Sequence, residues 1–330
     1  MATLKDIAQR AGVTATTVSR VINNRGYISE GTRKKVYAAM EEMHYQPNEL
    51  ARAFSKQYTN TIGLIVPHIS HPFFIKVISN LESSAAEKGF KLLLCNSKEQ
   101  PEKEQDYLDM CISNRVAGIV LCSKYVQTRE FRKMNIPVLN LERGGDDDTI
   151  SVQCDNYQGG KLAAEHLIEC GCKNLLHFGG VAGKDMPADR RADGFSDVCK
   201  KAGIPYRILV SDRLQYGSMH YEDFIRRALQ EFPDVDGIFA SSDLIASQVI
   251  QVGAQMGKRV PEDIQLIGFD DVMISTVTTP QITTIHQPVE EMTELCVEYI
   301  AKSLKNESVP QKIVLPVRLV QRGTTVLKTK

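Results

Sequence analysis

The chain has 330 residues, 42% hydrophobic and 24% charged, a globular composition with enough length for two or three domains. No run of about 18 apolar residues exists, which excludes a membrane span, and the N-terminus lacks the basic-then-apolar order of a signal peptide. We therefore expect a cytoplasmic protein. The net charge is zero, but residues 1–60 carry nine Lys and Arg against five Asp and Glu. This basic head on a mildly acidic body predicts a polyanionic partner for the head.

The eight cysteines include no CxxC pair, and most of them fall within apolar strand or helix patterns. This usage is typical of reduced core residues rather than of disulfides or metal ligands. We expect no metal and no other cofactor.

Three short helical patterns occupy the first 45 residues, and Thr3, Thr14 and Ser29 are placed as their N-caps. The first two are joined by a tight turn at Gly12, and the third braces them, which describes a helix-turn-helix. A generic three-helix bundle explains the apolar stripes equally well. It does not explain the outward face of the second helix, formed by Ala15, Thr16, Ser19 and Arg20. Short hydroxylic side chains and an arginine reach phosphates and base edges, so this face predicts DNA binding.

A short helical pattern follows Pro47, with Asn48 as its N-cap. It is shorter than the ~12–15 residues that make an isolated helix marginally stable in water. It nevertheless carries the large aromatic Phe54. The pattern alone does not explain why so short a helix carries so large a side chain.

The stretch TLKDIAQRAGVTATTVSRVINNRGYISEGTRKKVYAAMEEMHYQPNELARAF, followed by TNTIGLIVP, resembles the head and hinge of the LacI–GalR family of bacterial transcription regulators. The resemblance implies that Ala15, Thr16 and Arg20 contact bases. It also implies a hinge helix that folds when two subunits meet over the operator, with Phe54 inserted between base pairs where relatives usually have leucine. Packing of Phe54 on Leu50 in the protein's own core is the alternative. The residues assigned to DNA are Thr3, Ala15, Thr16, Thr17, Ser19, Arg20, Asn23, Ser29, Asn48, Ala51, Arg52 and Phe54. Of these, Thr17, Ser19 and Asn23 are assigned to phosphates.

From residue 61 onward, apolar β-branched runs alternate with amphipathic helical stretches, which predicts parallel sheets covered by helices on both faces. The predicted strands are 61–67, 90–97, 117–123, 137–142, 174–180, 206–212, 236–243 and 264–271, and helices are predicted at 73–88, 101–114, 157–170 and 244–257. So many strands divide into two doubly wound lobes, and the chain after ITTIHQP crosses back between them. The predicted domains are a head at 1–47, a hinge helix and linker at 48–60, and a body at 61–330, with an N-lobe of about 61–157 and 289–316 and a C-lobe of about 158–288 and 317–330.

This layout resembles the periplasmic sugar-binding proteins, whose architecture LacI–GalR effector domains share. Ligands of open α/β sheets lie beyond the carboxyl ends of the strands, so the cleft between the lobes is the expected site. Aromatic rings can cover the apolar faces of a sugar, and charged groups can bind several hydroxyls. The expected effector residues are His71, Phe73, Phe74, Glu142, Arg143, Arg191 of the family's R-x-x-G-F signature, Tyr216, Ser242, Asp270 and Gln287. Asp243 is expected to cap the following helix.

These predictions describe a homodimeric repressor of a carbohydrate-utilisation operon, similar to sucrose- or ribose-type regulators, that binds a palindromic double-stranded operator. A small sugar or sugar phosphate would control it. The same domains would serve whether this effector relieves repression or aids it. One alternative is a global carbon-catabolite regulator co-activated by a phosphorylated carrier protein, which needs a basic surface near the lobe junction. The helix after Pro288 instead carries Glu290, Glu291, Glu294 and Glu298. A sugar-processing enzyme with a fused head is the other alternative, and no G-x-S-x-G or other catalytic constellation supports it.

Overall fold

The computed structural model describes residues 2–23, 25–45, 58–123, 136–144, 149–181 and 186–328. The chain divides into two compact units, Met1–Thr59 and Asn60–Lys330. The predicted hinge residues Asn48, Ala51, Arg52 and Phe54 lie outside the described residues. Within the described ranges, no helix has both the length and the apolar character needed to span a bilayer.

The first unit contains helices α1 Leu4–Ala11, α2 Ala15–Ile22 and α3 Glu30–Glu42. All three predicted N-caps are confirmed: Thr3, Thr14 and Ser29 each accept a backbone N–H three residues later. Gly12 ends α1 at φ +65°, a left-handed conformation that favours glycine. The helices pack around a common core of Ile7, Ala8, Val18, Val21, Val36 and Ala39.

The second unit contains two six-stranded sheets. Its strands are β1 Thr61–Val66, β2 Lys91–Asn96, β3 Gly118–Leu121, β4 Val138–Leu141, β5 Ile150–Cys154, β6 Leu175–Val181, β7 Tyr206–Ser211, β8 Gly237–Ala240, β9 Gln265–Asp270, β10 Thr283–His286, β11 Lys312–Leu315 and β12 Arg318–Val320. Its helices are α4 Pro72–Glu87, α5 Pro101–Ser113, α6 Asn156–Glu169, α7 Arg190–Ala202, α8 Arg213–Ser218, α9 Glu222–Glu231, α10 Asp243–Gln255, α11 Ile274–Val277 and α12 Val289–Ser303. A 3₁₀ turn, Pro187–Asp189, precedes α7.

The first sheet has the order β11-β5-β4-β3-β1-β2, and all its pairs are parallel. The second has the order β12-β10-β9-β8-β6-β7 and is parallel except for β12. Each sheet reverses its winding once, between β1 and β3 in the first and between β6 and β8 in the second. The predicted two-lobed, doubly wound architecture is confirmed.

Three segments connect the two sheets: β5 runs into α6, β10 runs into α12, and β11 runs into β12. The strands that flank these connections are neighbours, since β5 pairs with β11 in one sheet and β10 pairs with β12 in the other. The connections therefore lie side by side along one edge of the lobe junction.

Helices α6 and α7 approach each other closely enough for their backbones to touch. A Cβ added to Gly160 would lie 1.9 Å from the carbonyl oxygen of Arg191, and one added to Gly194 would lie 2.0 Å from that of Tyr157. Only glycine fits at either position. The glycine of the R-x-x-G-F signature thus has a packing role.

Two expectations differ from the structure. Strand β5 is absent from the predicted strands, because its sequence, ISVQC, interrupts the apolar run with Ser151 and Gln153. The cap of α10 is Ser242, whose side chain accepts from the amide of Ile245, and the prediction that Asp243 caps this helix is wrong. Asp243 is instead fully buried and accepts hydrogen bonds from the amide of Val272 and the hydroxyl of Thr284.

Candidate functional site

Helix α2 presents a polar face to solvent while Val18 and Val21 are buried in the head. The side chains of Thr16 and Arg20 are exposed. Ala15 is half-buried and packs against the core of the head. This surface can offer Thr16 and Arg20 to base edges in a major groove.

The remaining residues assigned to DNA in the head have partners of their own. Asn23 donates through Nδ2 to the carbonyl oxygen of Ser19 at 2.9 Å and contacts its hydroxyl at 3.3 Å. Thr17 Oγ1 lies 2.9 Å from Thr14 Oγ1, and the Thr3 and Ser29 hydroxyls take part in their own helix caps. A phosphate oxygen only accepts, and a hydroxyl has one proton to donate. One hydroxyl of the Thr14–Thr17 pair and one of the Ser29–Thr32 pair keep that proton, whereas the Thr3 hydroxyl donates to Asp6.

A cleft that is open to solvent at its mouth lies between the two lobes of the body. It is lined from the first sheet by residues that follow β1 and β3, and from the second by residues at the ends of β6 and β8. Both pairs of strands flank the point where their sheet reverses its winding, which is where α/β folds bind ligands.

Nine of the ten predicted effector residues line this cleft: His71, Phe73, Phe74, Glu142, Arg191, Tyr216, Ser242, Asp270 and Gln287. Arg143 does not line it. Its Nη1 donates to Oδ1 of Asn140 at 2.8 Å. Glu142 follows β4 in a left-handed conformation with φ +49°, so the chain turns there, and Arg143 binds Asn140 of its own lobe.

A chain of buried polar groups joins the lobes at the base of the cleft. Glu142, at the end of β4, accepts through Oε2 from Asn156 Nδ2 at 3.0 Å and through Oε1 from the amide of Cys154. Asn156 Oδ1 accepts from Arg191 Nε at 2.7 Å. Arg191 Nη1 donates to the carbonyl oxygen of Ser241 at 2.6 Å. Asn156 is not among the residues predicted for the site. It begins the helix that follows β5, the strand that is also absent from the prediction.

Arg191 also stacks on an aromatic ring, since its Cζ lies 3.5 Å from the ring centre of Phe269. Such cation–π contact fixes the plane of the guanidinium. Its Nη2 has no hydrogen-bond partner among the residues the structure describes, and this group can donate to a ligand.

Asp270 ends β9 with φ +109°, a conformation rare outside glycine, and accepts from Gln287 Nε2 at 2.6 Å. Burial raises the pKa of the Asp270 carboxyl to about 7, an effect that Arg191 partly offsets. Burial lowers the pKa of His71 to about 4, and the nearby His68 and Arg191 act in the same direction. His71 is therefore neutral at pH 7. Its Nδ1 accepts from the amide of Phe73, so Nε2 carries the proton and can donate.

Two contacts join the lobes beside the cleft. Tyr216 of α8 lies edge-on to His68 of the first lobe, with 5.4 Å between ring centres. Lys76 of α4 donates through Nζ to the carbonyl oxygen of Asp271, which follows β9, at 3.1 Å. These contacts depend on the distance between the lobes.

A helix-turn-helix unit followed by a two-lobed ligand-binding body defines the class of ligand-controlled DNA-binding regulators. The family of bacterial regulatory proteins described as the lacI family matches residues 3–48, and the periplasmic binding protein-like domain matches residues 164–325. The ribose operon repressor of Halalkalibacterium halodurans is 33% identical over 326 residues, 98% of this chain and 97% of that protein. The sucrose operon repressor of Pediococcus pentosaceus is 34% identical over 329 residues, 97% of this chain and 98% of that protein.

Among solved structures, the lac repressor dimer bound to operator and the anti-inducer ONPF superposes with a TM-score of 0.83 at 25% identity, covering 98% of this chain and 99% of that one. The chain belongs to the lacI family of bacterial regulatory proteins. The prediction of a transcription regulator rather than an enzyme is confirmed.

Proposed function

We propose that the protein represses a carbohydrate-utilisation operon, binds a palindromic operator as a homodimer, and responds to a small sugar held in the cleft. The relatives that carry the names of ribose and sucrose operon repressors support the operon class. The lac repressor structure on its operator is a dimer, which supports a twofold protein on a twofold site.

The observation that carries the sugar-binding part is the convergence of nine predicted effector residues on one cleft. Both sheets contribute them, so a ligand there contacts both lobes at once. Such a ligand stabilises one arrangement of the lobes over others, because it binds that arrangement more tightly. The same preference, transmitted to the paired heads, changes operator affinity, with a coupling typically of about 1–3 kcal/mol.

Residues 48–60 are proposed to form the hinge that transmits this coupling to the DNA. Phe54 is proposed as the wedge between two base pairs of the minor groove. Phe54→Ala should weaken specific operator binding and remove the bend in the duplex while effector affinity is unchanged. Circular-permutation gels measure the bend, and an unaltered bend in the variant contradicts the wedge.

The whole proposal is tested with the purified protein. Operator fragments selected from a random duplex pool are labelled, and anisotropy is recorded while free sugars are added singly. We expect a palindromic consensus, two chains per duplex in sedimentation, and at least one sugar that shifts operator affinity. A consensus without twofold symmetry, or one chain per duplex, argues against the dimeric repressor.

A further inference from the structure

Two polar side chains in the cleft are almost fully buried and have atoms without partners among the described residues. Ser123, which follows β3, is 3% exposed, and its Oγ has no hydrogen-bond partner there. Gln287, which follows β10, is 1% exposed, and its Oε1 is unpartnered in the same way, although its Nε2 binds Asp270. Buried polar atoms are normally satisfied, so both atoms point to a bound molecule. Gln287 is one of the predicted effector residues, whereas Ser123 is not.

The charged groups that line the cleft are unequal in sign. Four carboxylates line its described part, those of Glu99, Glu142, Asp189 and Asp270, against the single guanidinium of Arg191. That guanidinium already donates to Asn156 and to the carbonyl oxygen of Ser241. A phosphate dianion placed beside Arg191 would meet the carboxyl groups of Glu142 and Asp270 and one partly engaged cation. Juxtaposed like charges in a desolvated site cost several powers of ten in affinity.

The hydrogen-bonding atoms of the cleft that remain open to a ligand are mostly acceptors. Gln287 Oε1 and the Asp270 carboxylate accept, and the Ser123 hydroxyl does either. A sugar hydroxyl donates one bond and accepts others, so it can satisfy all three groups. The oxygens of a phosphate dianion accept only, and they leave Gln287 Oε1 unsatisfied.

We propose that the effector is an uncharged polyhydroxy compound, a free sugar or polyol rather than a phosphate ester, and that Ser123 and Gln287 each bind one of its hydroxyls. This rests on the proposed function, since it concerns the same cleft. Ser123 contributes from the first lobe and Gln287 from a segment that connects the lobes. Their hydroxyl partners are therefore held at the junction.

Matched pairs test the charge of the effector. Isothermal titration of the full-length protein compares free mono- and disaccharides with their phosphate monoesters, for example D-ribose with ribose 5-phosphate and D-fructose with fructose 6-phosphate. We expect one free sugar to bind at least about tenfold more tightly than its monoester. A monoester that binds as tightly as its free sugar overturns this inference and leaves the proposed function standing. Binding by neither kind of compound contradicts both.

A pair of serine variants tests the assignment of Ser123. Ser97, which follows β2 in the same lobe, is buried but does not line the cleft, and its hydroxyl donates to the carbonyl oxygen of Val66 at 3.3 Å. Ser123→Ala should weaken binding of the sugar found in the first experiment by about five- to tenfold, the loss of one hydrogen bond to a ligand. Ser97→Ala should leave it unchanged.

Melting temperatures of the ligand-free variants establish that both are folded. Equal affinity of Ser123→Ala and the wild type overturns the assignment, as does an equal loss in both serine variants. Gln287→Glu keeps the size of the side chain and replaces the amide with a second carboxylate beside Asp270. Its affinity for the sugar should fall by at least about tenfold, and unchanged binding overturns the assignment of Gln287.

Discussion

Arg20 is exposed on α2, on the face opposite the buried Val18 and Val21. A bidentate arginine contact to a guanine contributes about 1–3 kcal/mol of discrimination against the wrong base. Arg20→Ala should therefore weaken operator binding by that amount and relax the preference at one position of each half-site. Competition with operators substituted at single positions measures both effects.

The control for lost charge is Arg10→Ala. Arg10 lies on α1 and pairs with Glu42 of α3 at 2.8 Å. This variant removes the same positive charge and should weaken all sequences nearly equally. If Arg20→Ala also weakens every competitor equally, Arg20 contacts phosphate only.

Asp270 gives the effector site a pH dependence near neutrality. Burial raises its pKa to about 7, so about half of the molecules carry the carboxylate at pH 7. A sugar hydroxyl that donates to this carboxylate competes with the proton. Affinity for the effector should therefore rise by about tenfold from pH 6 to pH 8, the factor given by proton competition at this pKa. A flat profile in the wild type contradicts this role.

Asp270→Asn provides the comparison, because its side chain does not titrate. Its effector affinity should be independent of pH over the same range. Stability changes in the opposite direction: an acid whose pKa is higher folded than unfolded binds more protons in the native state. Wild-type stability should thus fall relative to Asp270→Asn as the pH rises from about 4 to about 7. Urea denaturation of both proteins across this range measures the difference.

The backbone contact between α6 and α7 makes a prediction for helix packing. Gly160→Ala places a methyl group 1.9 Å from the carbonyl oxygen of Arg191, where only backbone displacement can relieve the clash. We expect a loss of stability of about 1–3 kcal/mol or more. Effector affinity should fall with it, because the displaced residue is the arginine of the cleft. Thermal denaturation and sugar titration measure the two effects.

Gly253→Ala in α10 is the matched control. Its Cβ would meet its nearest neighbour, the carbonyl oxygen of Lys258, at an ordinary 3.5 Å. Alanine is the better helix former, so this variant should be neutral or more stable by up to about 1 kcal/mol. A destabilisation of Gly253→Ala as large as that of Gly160→Ala removes the packing explanation.

Strand-by-strand prediction succeeds where the apolar run is continuous and fails where polar residues interrupt a buried strand. β1, β3 and β9 are uninterrupted and are predicted within a few residues of their bounds. β5 is missed because the burial of Ser151 depends on strands β4 and β11 on either side of it, contacts that a local pattern cannot contain.

The same limit determines which residues of the candidate site can be predicted from the sequence. Arg191 is recognisable from a motif, and Glu142 and Asp270 from their positions after strands. Ser123 and Asn156 are common residue types. The place of Ser123 in the cleft, and of Asn156 between Glu142 and Arg191, follows from how the lobes meet. Neighbouring Ser242 and Asp243 are both good caps, and only the start of α10 decides between them.

At the scale of the molecule, Lys76 connects the lobes through a charge-assisted hydrogen bond to the carbonyl oxygen of Asp271. Lys76→Met keeps most of the side-chain length and removes the donor. We expect the arrangement of the lobes that this bond joins to lose about 1 kcal/mol of stability. Effector affinity should therefore fall by about fivefold. Without sugar, the operator affinity of the variant should shift in the direction opposite to the shift that the sugar causes, or equal that of the wild type.

The control is Lys88→Met, at the other end of the same helix, since Lys88 caps α4 through its backbone and is exposed. Small-angle scattering with saturating sugar reports the separation of the lobes in both variants. Identical affinity and identical scattering for Lys76→Met and wild type would show that the bond does not contribute to closure.

We expect the three side-by-side connections to favour rotation of the lobes about one axis, because sliding or twisting would stretch at least one of them. Asn156 and Gln287 belong to two of these connections and lie near that axis. Tyr216 instead follows β7, the strand at the opposite edge of the second sheet, and lies at the rim, where it contacts His68. During rotation, separations at the rim change most and those at the axis least. A departing sugar therefore loses its rim contacts first and its axial contacts last. Rim side chains then govern how quickly the sugar exchanges, and axial ones govern which sugar is retained.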